Sequence, residues 1–267
     1  MEIAVGSRPG VPQRGGDDEA YVAEIVAPGI VLLAVAHGFG RIRERSAPTV
    51  AAEAVRDDLK RRVRGEQRDP RTALAAAFSA ANARVYAHSG SNEDFVASGT
   101  SLTAALIVGD HAFVGHVGAT RAYLGRDGSL TSLTKDDSID DGPLRLLTHT
   151  LGTQPNLEPA LDHVRLMHGD ALVLSSGALH ELLGDDEIAE ALRASASSED
   201  ATARLLAIAG IRGEGAGTVI VGRAFHEIAP ETGRRRPHTR DAAIALAVML
   251  AATIVAIVML RAMFTAA

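Results

Sequence analysis

Apolar positions along this chain follow two rhythms, and the rhythms divide it into elements. Ala20 to Val26 and Ile30 to Ala36 are apolar runs of strand length joined at Pro28-Gly29, so they predict two adjacent strands. From Ser46, a candidate N-cap followed by Pro48, the spacing changes to three and four: Val50, Ala54, Val55, Leu59 and Val63 mark one helix face. A second helix is predicted from Pro70 to His88, with Leu74, Ala77, Phe78, Ala81, Val85 and Tyr86 facing inward. Thr100–Val108 and Ala112–Val117 predict a hairpin turning at Gly109-Asp110. Arg121–Leu124 and Leu130–Leu133 predict another, turning at Arg126-Asp127-Gly128.

Lys135–Gly142 reads as a polar loop and Leu144–Leu151 as a short helix ending at Gly152. Ala160–Met167 and Ala171–Ser175 read as a third strand pair around Gly169-Asp170. Helices at Asp186–Ala194 and Glu199–Ala209 and a strand at Gly217–Phe225 complete the pattern. Hairpins dominate and the helices are segregated, which predicts an α+β sandwich of mostly antiparallel sheets with helices outside.

Beyond that strand the pattern changes. Residues 227–240 form a linker carrying Arg234, Arg235, Arg236 and Arg240. Ala242 to Leu260 has no charge and only Thr253 as a polar residue, long enough for a helix to cross a bilayer. The arginines before it place residues 1–226 on the cytoplasmic side, with the span at 241–261 and a short tail at 262–267 outside. Met1–Gly10 carries no signal-peptide core. Expected localisation is therefore the cell membrane, single-pass.

Composition narrows the chemistry. A formal net charge of −6 argues against nucleic acid as a partner, and the absence of Cys removes thiolate metal sites and thiol nucleophiles. With 3% aromatic residues, the core must be built from Ala, Val, Leu and Ile. Ser175, Ser176, His180 and Glu181 are nucleophile-like types that nothing in the sequence orients as a triad. Asp136, Asp137, Asp140 and Asp141 lack the spacing of a calcium loop and read as a solvated cluster. His37-Gly38-Phe39-Gly40, directly after an apolar strand, is a turn of the kind that carries chemistry at a strand end.

Several stretches, in order, resemble the PPM-type (type 2C) metal-dependent protein serine/threonine phosphatases. They are Arg14-Gly15-Gly16-Asp17-Asp18-Glu19, Ala36-His37-Gly38-Phe39-Gly40, Gly99-Thr100-Ser101 and Val114-Gly115-His116-Val117-Gly118. Gly118-Ala119-Thr120-Arg121-Ala122-Tyr123, Ser176-Gly177-Ala178-Leu179 and Gly215-Ala216-Gly217-Thr218-Val219 continue the match. The resemblance covers roughly residues 3 to 224 and implies that family's sandwich.

It also implies a centre at which aspartates hold two Mn²⁺ or Mg²⁺ ions around a nucleophilic water. The matching positions here hold His37, Ala119, Gly177 and Gly215, while Gly38 offers a backbone carbonyl. Glu19, beside Asp18, is the ligand position that keeps a carboxylate. Ala and Gly bring no side-chain ligand, and an imidazole replaces a hard oxygen poorly. Arg14 matches the family's phosphate-contacting arginine, and pairing with Asp17, Asp18 or Glu19 is an equally good account of it. His37 suits a core histidine better than a pH-sensitive partner of Glu19 or a transition-metal ligand.

The expectation is thus a membrane-anchored pseudophosphatase without metal or other cofactor. It would be a binding or regulatory module whose partner is a phosphoprotein or a Ser/Thr kinase. The first alternative is a weak phosphatase with a rearranged Mn²⁺ or Mg²⁺ site through Glu19, His37 and Asp18. The second is a scaffold acting through its membrane span, where Ala247 and Ala251 permit close helix packing.

Overall fold

The computed structural model describes residues 1–8, 19–39, 46–65, 69–90, 99–141, 144–213 and 217–224. All of them belong to one compact unit, Met1–His226. Arg14, Asp17, Asp18, Gly215, the linker and residues 241–267 lie outside the described residues. Among the described residues, no helix is long and apolar enough to cross a membrane.

Strands are β1 (Glu2–Arg8), β2 (Glu19–Ala27), β3 (Ile30–Phe39), β4 (Gly99–Val108), β5 (His111–Val117), β6 (Arg121–Arg126) and β7 (Ser129–Ser132). They continue as β8 (Ser138–Asp141), β9 (Leu144–Leu147), β10 (Ala160–Arg165), β11 (Ala171–Ser175) and β12 (Gly217–Arg223). Helices are α1 (Ala47–Arg64), α2 (Pro70–Gly90), α3 (Gly177–His180), α4 (Asp185–Arg193) and α5 (Ser198–Arg212). One sheet runs β10-β5-β4-β3-β2 and the other β1-β12-β11-β6-β7, while β8 and β9 form a separate hairpin. Every pairing is antiparallel.

The period of two along each strand builds the layers. On β3, Leu32, Ala34 and Ala36 join the core under α1 and α2, while Leu33 and Val35 point the other way, into the space between the sheets. On β12, Ile220 faces that same space, and Val219 and Val221 pack beneath α4 and α5. The result is four layers, helix–sheet–sheet–helix, with three apolar cores between them. The near-continuous apolar runs of β3 and β4 follow from burial on both faces. Because the chain is poor in aromatics, one ring needs a made-to-measure seat. A Cβ on Gly115 in β5 would come 2.7 Å from Cε2 of Phe78 on α2, so the glycine makes room for that ring.

Several expectations need correction. Leu144–Leu151 is not a helix: Leu144–Leu147 pairs with Ser138–Asp141, inside the stretch read as a polar loop. Its leucines are spaced equally well for either period, and hairpin pairing decides the outcome. The segments Ala160–Met167 and Ala171–Ser175 do not pair. β10 lies against β5 in one sheet and β11 between β12 and β6 in the other. Between them, the Leu166 amide bonds the Asp110 carbonyl and Gly169 bonds Ala224, so the connection crosses from sheet to sheet. Asp170 fixes this crossing: its buried carboxylate takes both Arg126 (Nε 2.9 Å, Nη2 2.6 Å) and the Met167 amide.

β1 and the one-turn α3 are not predicted by the sequence pattern, and Tyr86 is 43% exposed rather than inward-facing. Ser46 is the N-cap of α1, but its hydroxyl meets that of Thr49 rather than a backbone amide.

Candidate functional site

The site lies at the end of the inter-sheet space where β3 finishes. His37 has the parity of Leu33 and Val35, so its imidazole continues the inter-sheet face past the apolar core. Its register partner on β2 is Glu19, and on β4 it is Ser101. From the opposite sheet, β12 brings Thr218, of the same parity as Ile220, and β1 brings Ser7, paired with Thr218. Gly177, which follows β11 and opens α3, faces His37 directly: a Cβ there would sit 3.3 Å from His37 Nδ1 and 3.5 Å from the Ala119 carbonyl. His37, Ala119 and Gly177 therefore face one cleft, with Glu19 beside His37 on β2 and Gly38 the next residue along β3. Arg14, Asp18 and Gly215 are outside the described residues.

A hydroxyl network fills the cleft. Thr218 Oγ1 donates to Glu19 Oε2 at 2.5 Å. With its one proton spent there, it accepts from Ser7 Oγ at 3.0 Å. The Thr218 amide donates to Ser176 Oγ at 3.1 Å, and the Ser176 amide returns a bond to the Thr218 carbonyl at 2.9 Å. Thr100 Oγ1 donates to the His37 carbonyl at 3.0 Å, tying down the strand end beside Gly38. Ser101 Oγ accepts the Ala119 amide at 3.0 Å. Sequence reasoning missed Ser7, Ser101 and Thr218 as members of the site. Their signal was parity: each is a hydroxyl residue at a strand end, in step with an inter-sheet apolar residue.

The Gly118-Ala119 turn is clamped from behind. Asp137 Oδ2 accepts the Gly118 amide at 2.9 Å, and the Asp137 amide donates to the Gly118 carbonyl at 2.7 Å. His149 Nδ1 lies 3.6 Å from that carboxylate. Arg121 grips Asp136 with Nε and Nη2 at 2.8 and 2.9 Å and reaches the Tyr123 hydroxyl with Nη1 at 3.2 Å. Bonding to Asp136 raises the Arg121 pKa, and burial raises that of Tyr123. Asp136 and Asp137 are therefore structural acids, committed to a guanidinium and a turn.

Ser175 Oγ and His180 Nδ1 are 3.2 Å apart, but both are buried and Ser175 has the parity of Ala171 and Val173. That pair faces the helices, away from the cleft.

His116 supports the same end of the sandwich. It is 1% exposed, and its Nδ1 lies 2.9 Å from Thr103 Oγ1, which also meets Thr120 Oγ1 at 2.7 Å. Desolvation, the largest effect, lowers its pKa below the ordinary 6.5, and the fields of Asp137 and Asp136 oppose this only partly. The folded chain thus binds a proton at His116 less readily than the unfolded chain. Below pH 6.5 the unfolded state gains protons first, so stability should fall with acid and rise as pH returns above that value. Urea midpoints between pH 7.5 and 5 should show this loss, and His116→Gln should reduce it. An unchanged pH slope in the variant would remove His116 as its source.

Among the described residues, the donor set of the cleft does not fit a pair of divalent cations. Such a pair needs several hard anionic oxygens, and the carboxylate that the described residues bring there, Glu19, accepts from Thr218 while His37 occupies the space in front of Gly177. Among the described residues, no three His, Asp or Glu side chains converge on a possible ion.

Comparison with known proteins supplies the wider frame. The family model for protein phosphatase 2C matches residues 16–213. The serine/threonine protein phosphatase PstP of Mycobacterium tuberculosis is 32% identical over 237 residues, 83% of this chain. The chain spans 44% of the length of that relative. A putative protein phosphatase 2C-type of Streptococcus pyogenes is 29% identical over 69% of this chain and 82% of its own length. Among solved structures, the catalytic domain of PstP in complex with two manganese ions superposes with a TM-score of 0.70 at 28% identity, covering 84% of this chain and 98% of that one. The relative's two metal ions contrast with the donor set described above.

Proposed function

This chain belongs to the protein phosphatase 2C family, and from that premise we propose that it is a pseudophosphatase. On this reading it keeps the family's sandwich as a binding or regulatory module in Ser/Thr phosphorylation signalling and lacks the two-metal centre. The observation that carries the reading is the contact between His37 and Gly177. A Cβ at position 177 would lie 3.3 Å from the imidazole Nδ1, and the neighbouring carboxylate of Glu19 accepts from Thr218. An acidic cage that holds no metal suffers self-repulsion and desolvation. A chain that has abandoned the ions gains by replacing the cage with neutral groups and a hydroxyl network. The remaining recognition element is Arg14, whose guanidinium suits a phosphate monoester on a partner protein. The apolar stretch Ala242–Leu260 then holds the module at the cytoplasmic face of the membrane.

The full chain in washed membranes tests both parts. It should stay with the membrane through alkaline carbonate, and removal of residues 241–261 should release it. Hydrolysis of p-nitrophenyl phosphate with Mn²⁺ should not exceed that of membranes lacking the chain. Mn²⁺-dependent turnover abolished by Glu19→Ala and by Arg14→Ala would overturn the pseudophosphatase reading in favour of a rearranged, working centre. Release by carbonate would overturn the anchor.

A further inference from the structure

On the helix-facing side of the second sheet, Arg223 of β12, Ala171 of β11 and Gly125 of β6 form one paired row. Further along the same face, Val173, Val219 and Val221 pack beneath α4 and α5. In the row at Arg223 two of the three side chains are small, so the guanidinium stands beside open space. A cavity of about 310 Å³ lies there, walled by the end of α4, the β6–β7 turn and the start of β11. The turn is tight, with Asp127 and Gly128 both left-handed at φ of +52° and +78°. It lies against α4: a Cβ on Gly128 would come 3.1 Å from Arg193 Cδ. β11 runs from this cavity, at Ala171, towards the cleft, where Gly177 follows its last residue.

Arg126, Arg193 and Arg223, from three different elements, line this cavity in a chain of net charge −6. Their charges are compensated unequally. Arg126 is neutralised by the buried Asp170, which it grips with two nitrogens. Arg193 meets Glu190 at 2.7 Å, but both side chains are more than half exposed, and ion pairs of that kind hold little. Arg223 meets no carboxylate among the described residues. Its Nη2 donates to the carbonyls of Leu192 and Ser195, at 2.7 and 3.1 Å, and so covers the carbonyl end of α4. That capping role leaves the rest of the guanidinium unexplained, because Nε is buried and donates to nothing. A buried donor on a charged group is costly to leave unmade, and native structures normally supply an acceptor.

We propose that this cavity is a phosphate site, in which Arg223 and Arg193 bind the dianion of phosphate or of a phosphate monoester. A carboxylate is met in full by one guanidinium fork. A phosphate group carries nearly two charges and accepts from several directions, which suits two arginines reaching it from separate elements. Asp127, exposed on the turn, is the carboxylate that opposes the anion. The site does not depend on whether the cleft at His37 is catalytic, nor on Arg14.

The test uses the full chain carrying Arg14→Ala, so that the arginine assigned to the cleft contributes nothing. Calorimetric titration with inorganic phosphate should show saturable binding at one site. Arg193→Gln should weaken it about tenfold, the loss of one charge-assisted contact. Asp127→Asn should tighten it. Both positions are on the surface, so circular dichroism should be unchanged in either variant. Arg223→Gln should also weaken binding, and the two surface variants keep the test decisive if loss of the α4 cap unfolds that chain. A phosphothreonine peptide, run beside its unphosphorylated form, separates the sources. Peptide binding that needs both the phosphate and Arg193 upholds the site and assigns it to a phosphorylated partner. Binding of inorganic phosphate alone upholds it as a site for the free anion. No saturable phosphate binding, or binding indifferent to Arg193→Gln and Asp127→Asn, would overturn the proposal.

Discussion

Replacing His37, Ala119, Gly177 and Gly215 together by aspartate is expected to confer Mn²⁺-dependent hydrolysis of p-nitrophenyl phosphate, about 10²-fold or more above the parent chain. The expectation rests on how the cleft is built. His37, Gly177 and Ala119 already converge, since a Cβ at 177 would lie 3.3 Å from His37 Nδ1 and 3.5 Å from the Ala119 carbonyl. The strand ends that present them are held by bonds independent of their side chains: Thr100 to the His37 carbonyl, Ser101 to the Ala119 amide and Asp137 to the Gly118 amide. On the proposed reading, the missing ingredient is negative charge.

The four positions must change together. Gly177→Asp alone introduces a carboxylate against the His37 imidazole, where the ring blocks an open ligand site. His37→Asp alone adds one carboxylate beside Glu19, and like charges without a cation repel. Single variants should therefore remain inactive, and the gain should be strongly non-additive. Titration calorimetry with Mn²⁺ supplies the second readout, with heat of binding in the fourfold variant and none in the parent. Tight Mn²⁺ binding by the parent would refute the premise. A fourfold variant that binds Mn²⁺ and does not hydrolyse the ester would show that charge alone does not complete the centre.

How much of this was legible beforehand follows from which forces set each feature. β2, β3, β4 and β5, with α1 and α2, are specified by local pattern, because each buries faces of a fixed period, and the structure keeps those periods almost residue for residue. The β8–β9 hairpin was not legible, because Leu144, Leu146 and Leu147 satisfy either a short helix or an exposed strand, and pairing with Ser138–Asp141 decided between them. The separation of β10 from β11 was hidden for a related reason. A Gly169-Asp170 turn looks alike whether its strands pair or diverge, and bonds from Leu166 to Asp110 and Gly169 to Ala224 settle it at long range.

At the site, the converging positions His37, Ala119 and Gly177 were legible through the resemblance to a family. The hydroxyl network beside them was not. Ser7, Glu19, Ser176 and Thr218 come from four separate strands or their ends, and only the two-sheet register brings them together.

The same long-range logic makes Gly118→Ala the most damaging small substitution expected in the described domain, at about 3 kcal/mol. Gly118 has a φ of +95°, a left-handed conformation that resists a side chain. Its surroundings add to this. A Cβ would collide with the Ser101 hydroxyl and lie 2.8 Å from the Ser101 α-carbon, which is backbone of a central strand and has nowhere to move. Gly109 separates the two effects, because it has a φ of +62° with no heavy atom within 4 Å of a Cβ built there. Gly109→Ala should therefore cost only the conformational strain, about 1 kcal/mol. The difference of about 2 kcal/mol between the variants measures the crowding against Ser101.

In thermal melts, Gly118→Ala should lower Tm by roughly 6–12 °C for a unit of this size. Ser101→Gly in the same chain should recover part of the loss, because it removes the collision with the hydroxyl and leaves the crowding against the strand backbone. Equal losses for Gly118→Ala and Gly109→Ala would mean that the turn can move away from β4. The clamp of Ser101 and Asp137 on Gly118-Ala119 would then not fix that corner of the cleft.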